Sequence, residues 1–326
     1  MSEHESPNIE QTPWLNADGL AMERLELHLT YHCPEKCLFC SEEHRMQRYS
    51  RFPVTWGRVA KTLRIHAQRG VRNVHFTGGE PTIHPRFLDV LRLSQKLGMR
   101  TSIGTIGTML SRPNFAEKVL PFLNEALFSV HGSTAEIHDR LTQRIGSFDT
   151  VCTAMRRCIE VQPNFSLFVN IVMTKHNIDD IPNVVRMVQK MGAKLIVISN
   201  TTPEGAGFDA YETLAVSLEA IQDIVPKIAS EVKTATLRFF GVPMCVLGEY
   251  ATWSNDLHWS PRVTVEWQDA ENAVRFDGIY SWKPDRRREQ IPTCQNCNRN
   301  TVCMGVFDKY IQLWDPKVLK PYSTTN

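Results

Sequence analysis

The feature that most narrows the fold of this chain is a hydrophobic period that switches back and forth along its first 240 residues. Leu25, Leu27 and Leu29 alternate with Glu26, His28 and Thr30, the period of two of a strand with one face turned inward. Thr55 then precedes Val59, Leu63 and Ala67 at four-residue spacing with Gly70 behind them, the pattern of a helix with a capping start and a glycine stop. Val71, Val74 and Phe76 form a second strand ending at Thr77. The unit recurs through a helix at 85–97 closed by Gly98 and a strand at 100–104, and ends with a long helix at 217–232 and a strand over Thr236–Phe240. Strands separated by helices run parallel with right-handed crossovers. The expected count is six strands, too few to close an eight-stranded barrel but enough for an open, barrel-like sheet.

Beyond Gly241 the texture changes. Residues 249–290 are rich in Trp, Asp and Arg, alternate briefly at 262–267 and lack a helical period, so a hairpin and loops are expected. The expected organisation is a polar leader at 1–21, a core at 22–241 and a small C-terminal module at 242–326. No apolar run approaches the roughly 18 residues of a membrane span, and the first 24 residues have neither a basic start nor an apolar stretch, which points to a cytoplasmic protein without a signal peptide or membrane partner. Basic and acidic residues nearly balance, 37 against 35, and the one dense basic run, at 286–288, is too short to track a phosphate backbone, so no nucleic-acid partner is expected. Nine cysteines are many for such a chain. Seven fall into two groups with short spacing, which in a reducing compartment indicates metal rather than disulfides. Cys152 and Cys158, on an expected helix, read as buried small hydrophobes.

The first group, Cys33-Pro-Glu-Lys-Cys37-Leu-Phe-Cys40, sits in a loop after the first strand. Three thiolates so placed can take three corners of a 4Fe-4S cluster and leave the fourth iron open. A zinc site is the alternative, with His32 or His44 recruited as fourth ligand. The C-x3-C-x2-C loop with Phe39 before its last cysteine resembles the signature of the radical S-adenosylmethionine (SAM) superfamily. Phe76-Thr77-Gly78-Gly79-Glu80-Pro81 resembles that superfamily's glycine-rich strand end. The resemblance implies a partial (β/α)6 TIM-like barrel in which the backbone of Gly78, Gly79 and Glu80, with Pro81 behind them, holds the amino group of SAM. Bare glycines permit that close approach.

Further matches extend over about residues 22–245. Ser129 in Phe-Ser-Val-His-Gly resembles a ribose-contacting position. Arg140, in the segment 138–148, resembles a partner for the SAM carboxylate, and Asn170 a further cofactor-facing position. Ile106-Gly107-Thr108 and the strand end Ser199-Asn200-Thr201-Thr202-Pro203 depart from the family pattern and bear on the adenine contacts.

The second group, Cys294, Cys297 and Cys303 with Cys245 upstream, resembles the auxiliary-cluster extensions called SPASM and twitch. It implies a second 4Fe-4S cluster, closed by all four cysteines or held by three with one iron open, with a zinc knuckle as the alternative. The resemblance implies reductive cleavage of SAM to a 5′-deoxyadenosyl radical, hydrogen abstraction from a substrate, oxygen sensitivity, and an electron donor such as flavodoxin or ferredoxin. The substrate is read as a ribosomally made peptide, with a small metabolite such as an aminosugar or cofactor precursor as the alternative. A reading of another class is a non-catalytic metal-binding scaffold. No catalytic acid, base or radical-quenching residue is identifiable.

Overall fold

The structure, a computed structural model, describes residues 15, 19 and 21–322. The expected polar leader at 1–21 lies almost wholly outside the described residues. Seven strands follow one another through helical crossovers: β1 (Arg24–Thr30), β2 (Asn73–Gly78), β3 (Arg100–Thr105), β4 (Glu125–Ser129), β5 (Ser166–Met173), β6 (Leu195–Asn200) and β7 (Thr236–Phe240). They lie in sequence order and pair in parallel. The expected six is therefore one too few, although every segment named from the periodicity is an element of the stated type.

The two faces of the sheet explain the pattern. In β5, Leu167, Val169, Ile171 and Met173 are fully buried under the helices, while Phe168, Asn170 and Val172 face the hollow side and are half-buried. The helix Ile181–Lys190 meets the sheet with Ile181, Val184, Val185 and Val188, the i, i+3, i+4, i+7 stripe of a helix resting on a core. Crossovers of this kind place the C-terminal ends of all seven strands on one side of the sheet.

The C-terminal segment departs from the expected arrangement. β8 (Arg262–Ala270) and β9 (Ala273–Ser281) form the expected hairpin, but β8 also pairs in parallel with β1, from Arg24↔Arg262 to Leu27↔Val265. The main sheet thus has nine strands among the described residues. Val263, Val265, Trp267, Phe307 and Tyr310 share one core with Leu25 and Leu27, so no break in packing falls at residue 241. The periodicity could not reveal this pairing, because the chain from β7 to β8 holds only short helical turns and no long crossover helix announces a parallel neighbour.

The arginine run at 286–288 fixes this segment in place. Arg286 pairs with Glu204 in the loop after β6 and Arg287 with Asp308. Arg288, its side chain fully buried, holds Asp256 through both terminal nitrogens at 2.6 and 3.0 Å and donates to Gly305 O at 2.9 Å. Asp256 in turn accepts from Met304 N. Next to it β10 (Arg288–Glu289) and β11 (Val306–Phe307) pair antiparallel and close the loop that carries Cys294, Cys297 and Cys303.

Two predictions follow from these buried charges. Arg288→Met leaves Asp256 buried without its cation and costs about 3–5 kcal/mol in denaturant unfolding, part of which the added change Asp256→Asn restores. Glu26, on the hollow face, loses solvation on burial, but Arg262 at 2.6 Å and Arg24 outweigh that loss and hold its carboxyl down at about 2. A depressed carboxyl contributes stability above its unfolded value that is lost as pH falls from about 4.5 towards 2. Glu26→Gln should therefore cost on the order of 3 kcal/mol at pH 7, with the gap to wild type narrowing over that acid range in urea melts.

Candidate cofactor site at the mouth of the sheet

The loop after β1 is held from three sides. Gly79 N–H donates to Thr30 O at 2.7 Å and Glu80 N–H to His32 O at 2.9 Å, joining the end of β2 to the start of the cysteine loop. Lys36 N–H and Leu38 N–H donate to the carbonyls of Thr142 and Leu141, at the end of the helix Ala135–Thr142. Ala206 N–H donates to Cys40 O. The contacts leave no room for side chains: a Cβ on Gly78 would lie 2.4 Å from Thr30 O, on Gly79 2.2 Å from His32 O, and on Gly205 2.4 Å from Cys40 O. Gly78 also has φ +108, open only to glycine.

Cys33, Cys37 and Cys40 line one open cavity with Phe39, Gly78, Gly79, Ile106, Ser129, His131, Asn170, Val172 and Ser199. Its empty space is about 890 Å³, open mouth included. Apart from Met46, on the helix Glu43–Tyr49, the lining residues come from the C-terminal halves of strands or the loops beyond them. Ser129 and Asn170 sit opposite each other on β4 and β5, and Ser199 Oγ donates to Asn170 Oδ1 at 2.7 Å, so a row of hydroxyl and amide groups crosses three strands.

Burial pushes the Cys33 thiol up to about 12 and Cys40 up to about 11, and raises Cys37 well above its ordinary value. Burial likewise lifts Glu35, which accepts from the Cys37 thiol, to about 7. Thiols in this state need a cation to become thiolates, as metal ligands do. One zinc ion with Zn–S of ~2.3 Å would draw its sulfurs to within about 3.8 Å of one another. Among the described residues no three cysteine sulfurs come within 4.8 Å of each other. The three are thus set too far apart for one zinc ion held by all of them, and neither His32 nor His44 joins the thiols: His44 pairs with Asp209 instead.

Other expected residues have different placements. Glu80 and Pro81 are buried and do not line the cavity. The Glu80 carboxylate accepts from Thr82, from Thr105 Oγ1 at 2.9 Å and from Ile106 N–H at 2.9 Å, tying the end of β3 to that of β2. Arg140 is exposed and donates to His176 O, which removes it from the cofactor cavity. The rest of its segment supports the cysteine loop. Asp139 accepts from Gly146 N–H, Ser147 Oγ and Phe148 N–H at the start of the helix Ser147–Val161, and Leu141 packs with Leu214 on Phe39. Sequence reading did not single out Gly205 and Gly207, although two glycines so soon after a strand end are a signal of close backbone approach. His131 and Ser199 lie in the motifs Phe-Ser-Val-His-Gly and Ser-Asn-Thr-Thr-Pro, but nothing in the sequence gives either a cofactor role.

Cys245, Cys294, Cys297 and Cys303 line a second cavity with Arg299, Lys320 and Tyr322. Burial raises Cys245 to about 11 and also raises Cys294. Tyr322 braces the set, donating from N to Cys297 Sγ at 3.4 Å and from its hydroxyl to Met244 O. Here, too, no three of the sulfurs lie within 4.8 Å of one another. Cys152 and Cys158 are buried in the core, as small hydrophobes.

Comparison with known proteins agrees with this geometry. PqqA peptide cyclase of Rhodopseudomonas palustris is 29% identical over 199 residues, 60% of this chain and 52% of that protein. A probable GTP 3',8-cyclase of Sulfurisphaera tokodaii is 25% identical over 66% of this chain and 67% of its own. The chain spans about half the length of the PqqA peptide cyclases it matches, 45% to 56% for three of them. In three dimensions Streptococcus suis SuiB bound to SAM superposes with a TM-score of 0.62 at 15% identity, covering 94% of this chain and 77% of SuiB, a likeness of fold and a partial barrel in both. The model of the radical SAM superfamily matches residues 27–188, which hold the cysteine loop, Gly78, Gly79, Ser129 and Asn170: they are a radical SAM domain, and the chain belongs to that superfamily.

Proposed function

We propose that this chain is a radical SAM enzyme that cleaves SAM reductively and abstracts a hydrogen atom from a ribosomally made peptide. The observation that carries the reading is the convergence of Cys33, Cys37 and Cys40 with Gly78, Gly79 and the Ser129, Asn170, Ser199 row on one cavity at the strand ends. When bound, the 4Fe-4S cluster and SAM supply one electron and a 5′-deoxyadenosyl radical. The protein's own part is placement. The cysteine loop is held from three sides by backbone bonds, the two glycines allow a ligand's amino group to approach the main chain, and the polar row suits ribose hydroxyls. The apolar walls, Phe39, Met46, Ile106, Val172 and Phe240, exclude water from a site where a reactive radical must meet only its substrate.

A neighbouring open cavity, lined by Ser41, Arg45, Glu204, Phe208, Arg286 and Arg287, shares Ser41 with the first. Its mixed charges and aromatic ring suit a peptide approaching the mouth. The peptide substrate is further supported by PqqA peptide cyclase among the relatives and by SuiB, solved bound to its precursor peptide SuiA. A second reading, modification of a small metabolite, is favoured by the match to probable GTP 3',8-cyclases. Cys245, Cys294, Cys297 and Cys303 would hold the auxiliary cluster, closed by four thiolates, and a flavodoxin or ferredoxin would supply the electron.

The test is anaerobic reconstitution with iron and sulfide, followed by iron and zinc counts and by an assay for 5′-deoxyadenosine from SAM and dithionite. Wild type should hold about eight irons and the Cys33/Cys37/Cys40→Ala variant about four, without 5′-deoxyadenosine. Iron unchanged by that substitution refutes the reading, and an intact first cluster that never yields 5′-deoxyadenosine supports a scaffold. Four irons with one zinc would make the second site structural. Gly79→Ala, whose Cβ must displace His32 O, should move the cysteine loop and lower 5′-deoxyadenosine formation on the order of a hundredfold. Iron at the C-terminal site should be retained. Turnover of candidate peptides against nucleotides in the same assay separates the two substrate readings.

A further inference from the structure

His131 stands out on the cavity wall because everything around it is fixed while one atom is left over. It is buried, it lines the cavity, and its ring meets the edge of Phe39 with centroids 4.6 Å apart. Its backbone N–H donates to His138 Nδ1 at 3.0 Å, and its carbonyl accepts from Asn177 Nδ2 at 2.9 Å. Its own Nδ1 accepts from Val172 N–H at 3.1 Å. An Nδ1 that accepts cannot carry a proton, so the neutral ring carries it on Nε2. Burial, and His138 stacked beside it, hold the ring well below its ordinary value and therefore neutral. Among the described residues Nε2 has no hydrogen-bond partner. A rigidly held N–H donor thus remains in an otherwise apolar corner made by Phe39 and Val172.

The cavity divides by chemistry as SAM does. Thiols and bare glycines stand at one part, the hydroxyl and amide row at another, and the Phe39, Val172, His131 corner at the third. The first suits the amino-acid end and the second the ribose. The third has apolar faces for a flat ring and one donor for a ring nitrogen. We propose that His131 is a cofactor-binding residue whose Nε2–H donates to an acceptor nitrogen of the SAM adenine. The assignment rests on the SAM reading above and supplies an adenine contact where Ile106-Gly107-Thr108 departs from the family pattern.

Two substitutions separate the ring's two edges. In His131→Asn the amide oxygen can replace Nδ1 as acceptor for Val172 while the donor is lost. In His131→Gln the amide nitrogen reaches towards the place of Nε2. The measurement is the equilibrium Kd for SAM on the anaerobically reconstituted chain, with iron content and circular dichroism as controls. His131→Asn should keep its iron and bind SAM about tenfold more weakly, the loss of one hydrogen bond to a buried donor. His131→Gln should recover most of that affinity. Of SAM analogues carrying 1-deaza, 3-deaza or 7-deaza adenine, one should bind wild type about tenfold more weakly than SAM, with no such difference in His131→Asn. Unchanged SAM affinity in His131→Asn overturns the assignment alone. So does equal binding of all three analogues to wild type, which would give the donor to the substrate. A wild-type chain that binds no SAM overturns the enzyme reading as well.

Discussion

The site depends on the contact of two stretches of bare backbone. Gly79 N–H reaches Thr30 O and Glu80 N–H reaches His32 O, and neither bond survives a Cβ at Gly78 or Gly79 without displacing the carbonyl opposite. The bonds lock the first residues of the cysteine loop to the end of β2, where β1 and β2 already slip in register between His28 and Thr30. The irregularity lets the chain leave the sheet and turn its thiols over the hollow face. The glycines therefore fix the protein's own loop, because only a residue without a Cβ leaves room for the carbonyls of Thr30 and His32.

Glu80 extends that constraint to the next strand. A carboxylate buried this completely is costly unless its oxygens are bonded, and here Thr82, Thr105 and the Ile106 backbone supply donors. Burial raises its proton affinity, and these bonds oppose the rise. The loop after β3 is thus held by a side chain from β2, much as the cysteine loop is held by backbone from the same place. The mouth of the sheet is organised outward from residues 78–80.

This division of labour explains what could and could not be read from the sequence. The strands and helices from 24 to 240 were legible because each buries one periodic face against one layer, as Leu167, Val169, Ile171 and Met173 do. The cysteines and glycines were legible because spacing and the absence of a side chain are properties of sequence. Arg140 was not, because the direction of a helical side chain depends on how the helix docks: Leu141 is turned inward onto Phe39 and its neighbour outward to His176. The pairing of β8 with β1 was not legible either, since it joins segments more than 230 residues apart with no periodicity to connect them. His131 lies in the Phe-Ser-Val-His-Gly motif, but its importance comes from its tautomer, which only Val172 N–H across the strands reveals.

The pairing of β8 also joins the two ends of the chain in a way that composition conceals. His28 on β1 lies between Glu42, two residues after Cys40, and Glu266 on β8, at 3.7 and 3.3 Å. Arg45 reaches both carboxylates at 3.1 and 3.2 Å. His28 and two carboxylates are also a metal-ligand set, but a guanidinium already bonded to both acids supplies the positive charge a metal ion would bring. Tyr31 adds a hydroxyl that accepts from Trp267 N–H at 2.7 Å. The strand leading into the cysteine loop and the helix leaving it are therefore bonded to the hairpin, and the chain beyond the hairpin carries Cys294, Cys297 and Cys303. Cys245 follows directly from β7 at the opposite edge of the seven strands. The second cysteine group is thus drawn from both edges of the sheet that positions the first. Its geometry, like the first group's, is set by the strands, and a change in how the hairpin seats against β1 would be felt at both.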